Sequence, residues 1–432
     1  MVLILIGRFL FFKITMADSS LPRIAILGAG PIGLEATLYA RYLGYQVDLI
    51  ERGSSPAENM LQWGHVRLFT PFSKNVSPLG MAALQAQDPA WQPPAADQLL
   101  TGAEFQQEYL LRLAESDLVA GPLQCETEVL AVGRKDWLKN EGVGNPDRGE
   151  SPFVLLLNTK AGMQQLIEAD VVIDCTGTYG NHNWLGQGGI SAVGEVAASQ
   201  HIQYGLPDVL GRDREQYQGK SLLVVGAGYS AATVITQLAQ LADVQINWLT
   251  RSTTEAGPIA RLSDDRLASR DALAIEANRL ASREGPVVHH TDKIIVAVEY
   301  RDTTDDFSVL FDGELAGEVI FDRIVANVGY RPDNSITNEL QVHTCYATDG
   351  PMKLAAQLLG NDSADCLDQS SSGPRSLITP EPNYYILGSK SYGRGSQFLI
   401  SVGLEQIREV FTLIGERADL DIYATMPQLD AE

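Results

Sequence analysis

The chain has 432 residues, 45% of them hydrophobic, and a formal net charge of −22 at pH 7. This length can bury the cores of two or three domains. Because the charge is so negative, we expect no nucleic acid and no anionic membrane surface as a partner. Four cysteines lie apart at positions 125, 175, 345 and 366 without a CxxC pair. This spacing predicts no disulfide framework, no metal site and no dithiol centre, and it fits a reducing, cytoplasmic setting.

The first 16 residues are strongly apolar but are interrupted by Arg8 and Lys13. A spanning helix needs roughly 17–25 apolar residues, and a signal peptide carries its charges before the apolar run. We therefore expect residues 1–19 to be an extension without stable membrane insertion, with Met16 as the true start. A short membrane-touching segment is the alternative.

The stretch from Arg23 to Arg52 has the pattern of a nucleotide-binding βαβ unit. An apolar strand over 24–27 leads into glycines at GxGxxG spacing, an amphipathic segment over 34–43 ends at Gly44, and a second strand over 46–50 ends at Glu51. Such glycines allow a tight turn, close approach of a pyrophosphate and close helix packing, and the acid accepts hydrogen bonds from a ribose. The expected contacts are Gly28, Gly30, Pro31, Ile32, Gly33, Glu51 and Arg52.

An aromatic and polar stretch from Trp63 to Gly80 follows without a helix or strand period. Its place directly after the βαβ unit favours a ligand-facing loop, and a packed irregular loop is the alternative. Beyond it we expect an amphipathic helix over 104–119 and a polar loop over 139–152.

One pattern occurs twice. Apolar strands and a hairpin lead into Asp170 to Gly177, and again into Asp322 to Gly329; each time an aspartate is followed by an apolar run and a terminal glycine.

A second nucleotide-binding pattern begins with the apolar strand 221–225 and GxGxxA spacing. We expect a helix over 232–241 and a strand over 244–249 that ends in Thr250-Arg251, where the first unit has Glu51-Arg52. Replacing the acid by a hydroxyl and a cation removes repulsion toward a 2′-phosphate and supplies a donor for it. The first site therefore suits FAD and the second NADPH; a solvated strand-end charge is the alternative for Arg251. The expected contacts of the second site are Gly226, Gly228, Tyr229, Ser230, Ala231 and Arg251.

Near the end of the chain, the Ser/Asp/Gly-rich stretch over 360–376 predicts a mobile surface excursion. After it we expect a last strand over 383–387 and a helix over 398–413.

Two such units resemble the two-domain FAD/NAD(P)H flavoproteins of the pyridine nucleotide-disulfide oxidoreductase superfamily, without the CxxC. Four segments carry the resemblance: Gly28 to Glu51, Asp174 to Asn181, Gly226 to Arg251, and Asn327 to Asp333 with its ATG-type linker. The resemblance implies an α/β fold of two Rossmann-like dinucleotide-binding domains, the NADPH domain being inserted in the FAD domain. The implied limits are 20–210 for the first part of the FAD domain, 211–329 for the NAD(P)H domain and 330–432 for the second FAD part.

The finer match is to flavin-containing monooxygenases and N-hydroxylases. Thr176 to Gly186 and His201 to Tyr204 are similar to their segments, and Phe72-Ser-Lys-Asn75 falls where they carry an asparagine near flavin and nicotinamide. The resemblance implies that NADPH reduces FAD and that the reduced flavin activates oxygen for a small organic substrate. It places Thr176, Gly177, Gly329 and Gly388 at the cofactors, Asn75 as a donor near the flavin, and His65 and Arg67 along the site.

Two departures leave the reaction class open. The hydroxylase fingerprint FxGxxxHxxx(W/Y) is absent, and Gly388 is followed by Ser389-Lys390 where reductases carry an aspartate. The alternatives are an NAD(P)H-dependent reductase of a small-molecule or protein acceptor and a non-catalytic redox-sensing flavoprotein. For Cys175, which stands where the family has alanine, we expect a buried, inert thiol rather than a reactive one. The sequence identifies neither the substrate nor the oligomeric state, for which a homo-oligomer remains open.

Overall fold

The computed structural model describes residues 21–291, 293–313, 317–360 and 365–427. The expected N-terminal extension over residues 1–19 lies outside these ranges. The strands are β1 (Arg23–Leu27), β2 (Gln46–Ile50), β3 (Leu123–Gln124), β4 (Thr127–Arg134), β5 (Phe153–Thr159), β6 (Gln164–Ala169), β7 (Val171–Asp174), β8 (Ser221–Val225), β9 (Gln245–Leu249), β10 (Val287–His290), β11 (Lys293–Arg301), β12 (Asp306–Gly313), β13 (Gly317–Phe321), β14 (Arg323–Ala326) and β15 (Tyr384–Ile386).

The α-helices are α1 (Pro31–Tyr42), α2 (Glu58–Leu61), α3 (Pro78–Gln87), α4 (Gly102–Phe105), α5 (Leu111–Ala114), α6 (Glu195–Ala198), α7 (Arg214–Tyr217), α8 (Tyr229–Leu238), α9 (Ala268–Leu280), α10 (Met352–Leu359) and α11 (Ile400–Ile414). Short 3₁₀ turns at Phe72–Lys74 and Gly388–Tyr392 contribute to the site described below. No helix in the described part of the chain is long and apolar enough to cross a bilayer.

Two parallel sheets form the framework. The first has the strand order β15-β7-β1-β2-β3 and the second the order β10-β9-β8-β14. Their central strands β1 and β8 are almost wholly buried apolar runs, as parallel strands covered on both faces require. Since β8 to β14 lie between β7 and β15 along the chain, the second sheet is an insertion in the first, and the predicted α/β fold with two Rossmann-like units is confirmed.

Each parallel sheet is accompanied by a three-stranded antiparallel sheet. Strands β4-β5-β6 precede β7, and β11-β12-β13 precede β14. These are the two copies of the internal pattern found in the sequence, and in both the aspartate opens the return to the parallel sheet. Aspartates 170 and 322 accept the backbone N–H of Arg23 and Ser221 at the starts of β1 and β8, each at 2.8 Å.

The domain limits remain a proposal, but packing shows where the chain reaches the second sheet. Leu185, Ala192, Ala198 and Ile202 share a buried cluster with β8, β11, β12 and β14. The chain therefore contributes to the second unit well before residue 211.

The predicted helix over 104–119 is shorter and less regular than expected. A capping box between Thr101 and Glu104 opens it, a π-helical turn occupies Gln106–Leu110, and it ends at Ala114. Ser116 donates its hydroxyl to the Leu113 carbonyl at 2.7 Å, which satisfies one of the last free carbonyls and closes the helix.

Candidate functional site

The glycines of the first motif are required by close contacts at the carboxyl end of β1. Gly28 has a φ of +91°, and a Cβ there would lie 2.8 Å from the Cys175 carbonyl oxygen. A Cβ on Gly33 would lie 1.8 Å from the Gly28 oxygen, so α1 packs directly on the turn. Gly30, by contrast, faces open space. The tight turn at Gly28 and the close packing at Gly33 are as predicted, and the approach of a pyrophosphate to Gly30 stays a prediction.

The start of α1 is open for an anion. Gly30 is its N-cap and offers no side-chain cap, Pro31 follows with Ile32 buried behind it, and the first turn has no acidic residue. The first backbone N–H groups of a helix lack partners inside the helix and carry partial positive charge. With open space above Gly30, this end can receive a phosphate.

Glu51 stands at the carboxyl end of the neighbouring strand β2 and is held against the glycine turn. Its two carboxylate oxygens accept the N–H groups of Ala29 at 2.7 Å and Gly53 at 2.6 Å. Each oxygen keeps a further lone pair for an outside donor such as a ribose hydroxyl. Arg52 points outward, 3.8 Å from Glu128 and 67% exposed.

On the other side of β1, the site is built by the ends of β7 and β15. Asp174 and Lys390 form a buried ion pair of 2.6 Å, both side chains being at most 1% exposed. The Asp174 carboxylate also accepts the Tyr384 hydroxyl at 2.9 Å and two donors of Thr176 at 3.0 and 2.6 Å. A carboxylate offers about four acceptor positions, so Asp174 is saturated and acts by holding its neighbours.

That ion pair explains the departure noted at the end of the last strand. The Lys390 ammonium turns inward to Asp174 and to the Thr176 hydroxyl, at 3.0 Å, instead of facing the crevice. Gly388, with a φ of +73°, donates its N–H to Gln406 at 2.9 Å and packs on Ile32 at the start of α1. The sequence does not predict the pair, although the aspartate that ends the apolar strand β7 is its visible signal.

Two further predicted glycines lie on the linkers that follow β7 and β14. Gly177 has a φ of +68°, and the Ser389 hydroxyl is 3.3 Å from the position of a Cβ there. Gly329 has a φ of +84°, with Asn183 Nδ2 3.4 Å from the corresponding position.

The second motif repeats the arrangement of the first. Gly226 has a φ of +133°, and a Cβ there would lie 2.2 Å from the Asn327 carbonyl oxygen at the end of β14. Gly228 is the N-cap of α8 and faces open space; the helix has no side-chain cap and no acid in its first turn, where Tyr229 and Ser230 stand. Ala231 is fully buried in the third position. The sequence expectation and the structure agree on this geometry.

Thr250 takes after β9 the place that Glu51 takes after β2, and Arg251 follows it. Arg251 is exposed and makes no ion pair with any described residue. Thr250 beside it is buried and bonds to the Ser252 carbonyl and to His289, each at 2.8 Å. Arg261, ten residues after Arg251, is paired with Asp271 at 2.8 Å.

The loop from Trp63 to Gly80 joins the two units. Phe69 makes an edge contact with Tyr229 of the second motif, with ring centroids 5.7 Å apart. Asn75 is buried, and its amide donates to the Thr70 and Pro71 carbonyls at 3.2 and 3.1 Å while accepting the Thr70 hydroxyl at 2.9 Å. Asn75 thus shapes this loop from inside.

The other two predicted loop residues differ from each other. His65 is partly buried, and its Nε2 has no hydrogen-bond partner in the described part of the chain. Arg67 is exposed and donates to the Leu99 carbonyl. The structure therefore places His65, Arg67 and Asn75 on one loop beside the second motif, without a shared side-chain contact among the three.

The two linkers between the sheets run side by side. The Asn183 N–H donates to Gly329 at 3.0 Å, the Arg331 N–H donates to Asn181 at 2.9 Å, and Tyr179 stacks on Tyr330 with centroids 4.6 Å apart. We call these two hydrogen-bonded segments, residues 179–183 and 329–331, the linker ribbon.

A second connection is made by the stretch expected to be a mobile excursion. Asp365 bonds to Arg270 at 2.9 Å and to Arg266 at 3.0 Å, both near the start of α9. Burial alone would raise the pKa of Asp365, but the Leu367 N–H and the two guanidinium groups outweigh it and lower this pKa to about 2. Residues 361–364 lie outside the described residues; Asp365 is tied to the second unit, whereas Ser371 bonds to Glu405 of α11 in the first unit.

The surroundings of Cys175, in the first linker, disfavour its thiolate form. Burial raises the pKa of the Cys175 thiol well above its usual value, and the charge of Asp174 acts in the same direction. This agrees with the expectation of an inert thiol. Among the described residues, no group of three or more His, Cys, Asp and Glu side chains is arranged to hold a metal ion.

The fold is that of the two-domain dinucleotide-binding flavoproteins. No family profile matches the chain, and no curated protein matches it. Among solved structures, bacillithiol disulfide reductase from Bacillus cereus aligns with a TM-score of 0.63 at 18% identity, over 92% of this chain and 99% of that one.

Two further structures show the breadth of chemistry on this fold. An ornithine N-hydroxylase from Kutzneria sp. 744, a complex with reduced FAD, NADP⁺ and L-ornithine, aligns with a TM-score of 0.60 at 15% identity over 92% of this chain and 99% of that one. Thioredoxin reductase from Lactococcus lactis aligns with a TM-score of 0.57 at 16% identity over 91% and 99%. At these identities the likeness establishes the fold and leaves the reaction to be argued from the site.

Proposed function

We propose that the chain is an FAD-dependent NADPH oxidoreductase, with FAD at the first glycine motif and NADPH at the second. One observation carries the proposal: two open, uncapped helix starts lie at the carboxyl ends of two parallel sheets, and Phe69, on the loop that follows the first unit, contacts Tyr229 at the second helix start. Dinucleotides bind at the carboxyl ends of such strands, with the pyrophosphate at the helix start.

The residues of the first site fit FAD. Glu51 after β2 is placed for the ribose of the adenosine half, and Gly30 leaves room for the pyrophosphate. On the opposite side, Thr176 and Gly388 border the path of the flavin half and are fixed through Asp174 and Lys390. When bound, FAD accepts a hydride from NADPH and passes the electrons onward; this chain's residues bind and align the two cofactors.

The second site fits NADPH better than NADH because the ribose-binding acid is replaced by the neutral Thr250, which is followed by the cation Arg251. A charge-assisted hydrogen bond to the 2′-phosphate contributes about 1.5–3 kcal/mol, or roughly ten- to hundredfold in affinity. Arg251→Ala should therefore raise KM for NADPH and leave that for NADH nearly unchanged. Arg261→Ala, which removes a cation already paired with Asp271, is the matched control. Equal weakening of both nucleotides by Arg251→Ala would show that the arginine is only a surface charge.

Within this class we propose a monooxygenase-like reaction in which the reduced flavin activates oxygen for a small organic substrate. The supporting features are the segments Thr176 to Gly186 and His201 to Tyr204, the loop with Asn75, His65 and Arg67 beside the second motif, and the lack of a CxxC that could receive electrons. The loop's task is to align the nicotinamide and to exclude water. The absent hydroxylase fingerprint favours a second candidate, a reductase that passes electrons to a diffusible acceptor.

Two measurements test these proposals. The purified protein should be yellow with bound FAD, and NADPH should bleach it without oxygen; a colourless protein would refute the cofactor assignment. In stopped flow, the NADPH-reduced protein is then mixed with oxygen. A long-lived spectrum distinct from both oxidised and reduced flavin supports the monooxygenase, whereas direct return to oxidised flavin supports the reductase.

A further inference from the structure

An unsatisfied acceptor lies beside the second glycine motif, on Asn327. This residue follows β14, and its N–H donates to the Val225 carbonyl at the end of β8 at 2.8 Å. Its side-chain amide donates from Nδ2 to the Gly205 carbonyl at 3.0 Å. The other amide atom, Oδ1, is buried and has no partner among the described residues.

The orientation of this amide is determined by its surroundings. A rotation that exchanged the two atoms would point Oδ1 at the Gly205 carbonyl oxygen and lose the hydrogen bond that Nδ2 donates there. Leaving a buried acceptor without a donor costs about as much as a lost hydrogen bond. Oδ1 is therefore suited to a donor that arrives with a ligand.

Strand order shows which part of a ligand would pass here. In the sheet β10-β9-β8-β14, the chain leaves β8 toward β9 on one side and returns as β14 on the other. The crevice at the carboxyl ends of β8 and β14 is the point where this order reverses, and dinucleotides lie across it. Arg251 marks the adenosine side, after β9, and Gly226 and Gly228 mark the pyrophosphate. Asn327 lies beyond the pyrophosphate, against Gly226, on the side left for the other half of the ligand.

We propose that Asn327 Oδ1 accepts a hydrogen bond from the nicotinamide-riboside half of NADPH. This inference rests on the proposed function of the second motif. The donor is either a ribose hydroxyl or the carboxamide NH₂ of the nicotinamide, both of which present an N–H or O–H to a buried acceptor. Asn327 is then a cofactor-binding residue that helps to place the nicotinamide.

The test compares a ligand that contains the nicotinamide-riboside half with a ligand that lacks it. Binding of NADP⁺ and of 2′,5′-ADP to the FAD-loaded protein is measured by calorimetry. Asn327→Ala should weaken NADP⁺ by roughly five- to tenfold, the value of one neutral hydrogen bond, and leave 2′,5′-ADP unchanged. Asn181→Ala is the matched control, because its Nδ2 also tethers a backbone carbonyl, that of Pro332 at 3.1 Å, and should change neither affinity.

The two donors are separated with nicotinic acid adenine dinucleotide phosphate, whose carboxylate cannot donate. If the carboxamide is the donor, the wild type binds this analogue more weakly than NADP⁺ and Asn327→Ala no longer distinguishes the two. If a ribose hydroxyl is the donor, Asn327→Ala weakens both to the same degree. Thermal unfolding and flavin content verify the fold of each variant, and Asn327→Ser replaces the alanine variant if that one fails to fold.

Equal loss of NADP⁺ and 2′,5′-ADP in Asn327→Ala, or loss of neither, would overturn the inference while leaving the proposed function intact. A wild type that binds neither ligand would overturn both.

Discussion

Removing one member of the buried Asp174–Lys390 pair should destabilise the protein far more than breaking an exposed pair of the same length. Lys390→Met leaves the Asp174 carboxylate buried without a cation, and losing one partner of a buried pair costs about 3–5 kcal/mol. Because the hydrogen bonds from Thr176 and Tyr384 remain, we expect the lower end, about 3 kcal/mol.

A double-mutant cycle isolates this interaction. Asp174→Asn, Lys390→Met and their combination are compared by urea unfolding at saturating FAD, followed by circular dichroism. The double variant buries no charge, so its loss should be smaller than the sum of the single losses by about 3 kcal/mol. Lys135 and Glu168 supply the control: their contact is 2.7 Å, but the side chains are 44% and 51% exposed, and coupling should stay below about 1 kcal/mol.

A coupling for Asp174 and Lys390 no larger than that for Lys135 and Glu168 would refute the reasoning. Flavin content gives a second readout. Lys390→Met should lower it, since Lys390 anchors the turn that begins at Gly388, whereas Lys135→Met should not.

Three shorter predictions follow. Burial raises the pKa of Glu35, whose partners are Ser77 and Tyr423, from 4.5 to about 7. The folded protein then holds a proton that the unfolded chain has lost, so wild-type stability should fall relative to Glu35→Gln as pH rises from 4.5 to 7, by about 3 kcal/mol; a pH-independent difference in thermal unfolding would contradict this. Asp365→Asn should release the start of α9 and speed its hydrogen exchange, whereas unchanged exchange would show that the contact does not join the units. Gly226→Ala and Gly228→Ala should both weaken NADP⁺ binding, but only the first, whose Cβ would meet the Asn327 oxygen, should lower the melting temperature.

The two βαβ units could be predicted because local physics determines them. An apolar run, glycines at fixed spacing and a following amphipathic segment each act within about 30 residues. For the same reason the repeat of antiparallel sheets was visible in the sequence. The substrate-side residues carry no such period, and the placement of Asn75, His65 and Arg67 as ligand contacts stays a prediction.

The sequence does not show which charged residues form ion pairs when they are far apart along the chain. Asp174 and Lys390 are 216 positions apart, and Arg134 and Arg148 meet Glu381 across more than 230 positions, at 2.9 and 3.0 Å. Composition described residues 360–376 correctly as polar but could not show that Asp365 faces Arg270 of α9 and Arg266 just before that helix. A polar side chain can be recognised from composition, but the distant residue with which it pairs cannot.

The connections between the units bear on how the cofactors would meet. The linker ribbon around Asn183 and Gly329 joins the carboxyl ends of both sheets, and the Phe69–Tyr229 contact closes over the second motif. The ion pair of Arg270 with Asp365 also lies near Tyr229, with the Arg270 guanidinium 6.0 Å from the centroid of the Tyr229 ring. Rotation of one unit about the ribbon would have to separate both of these contacts together. Since one is apolar and the other ionic, added salt would weaken only the second. A flavin reduction rate that changes with salt in the wild type but not in Asp365→Asn would therefore identify the ionic contact as the one that limits this movement.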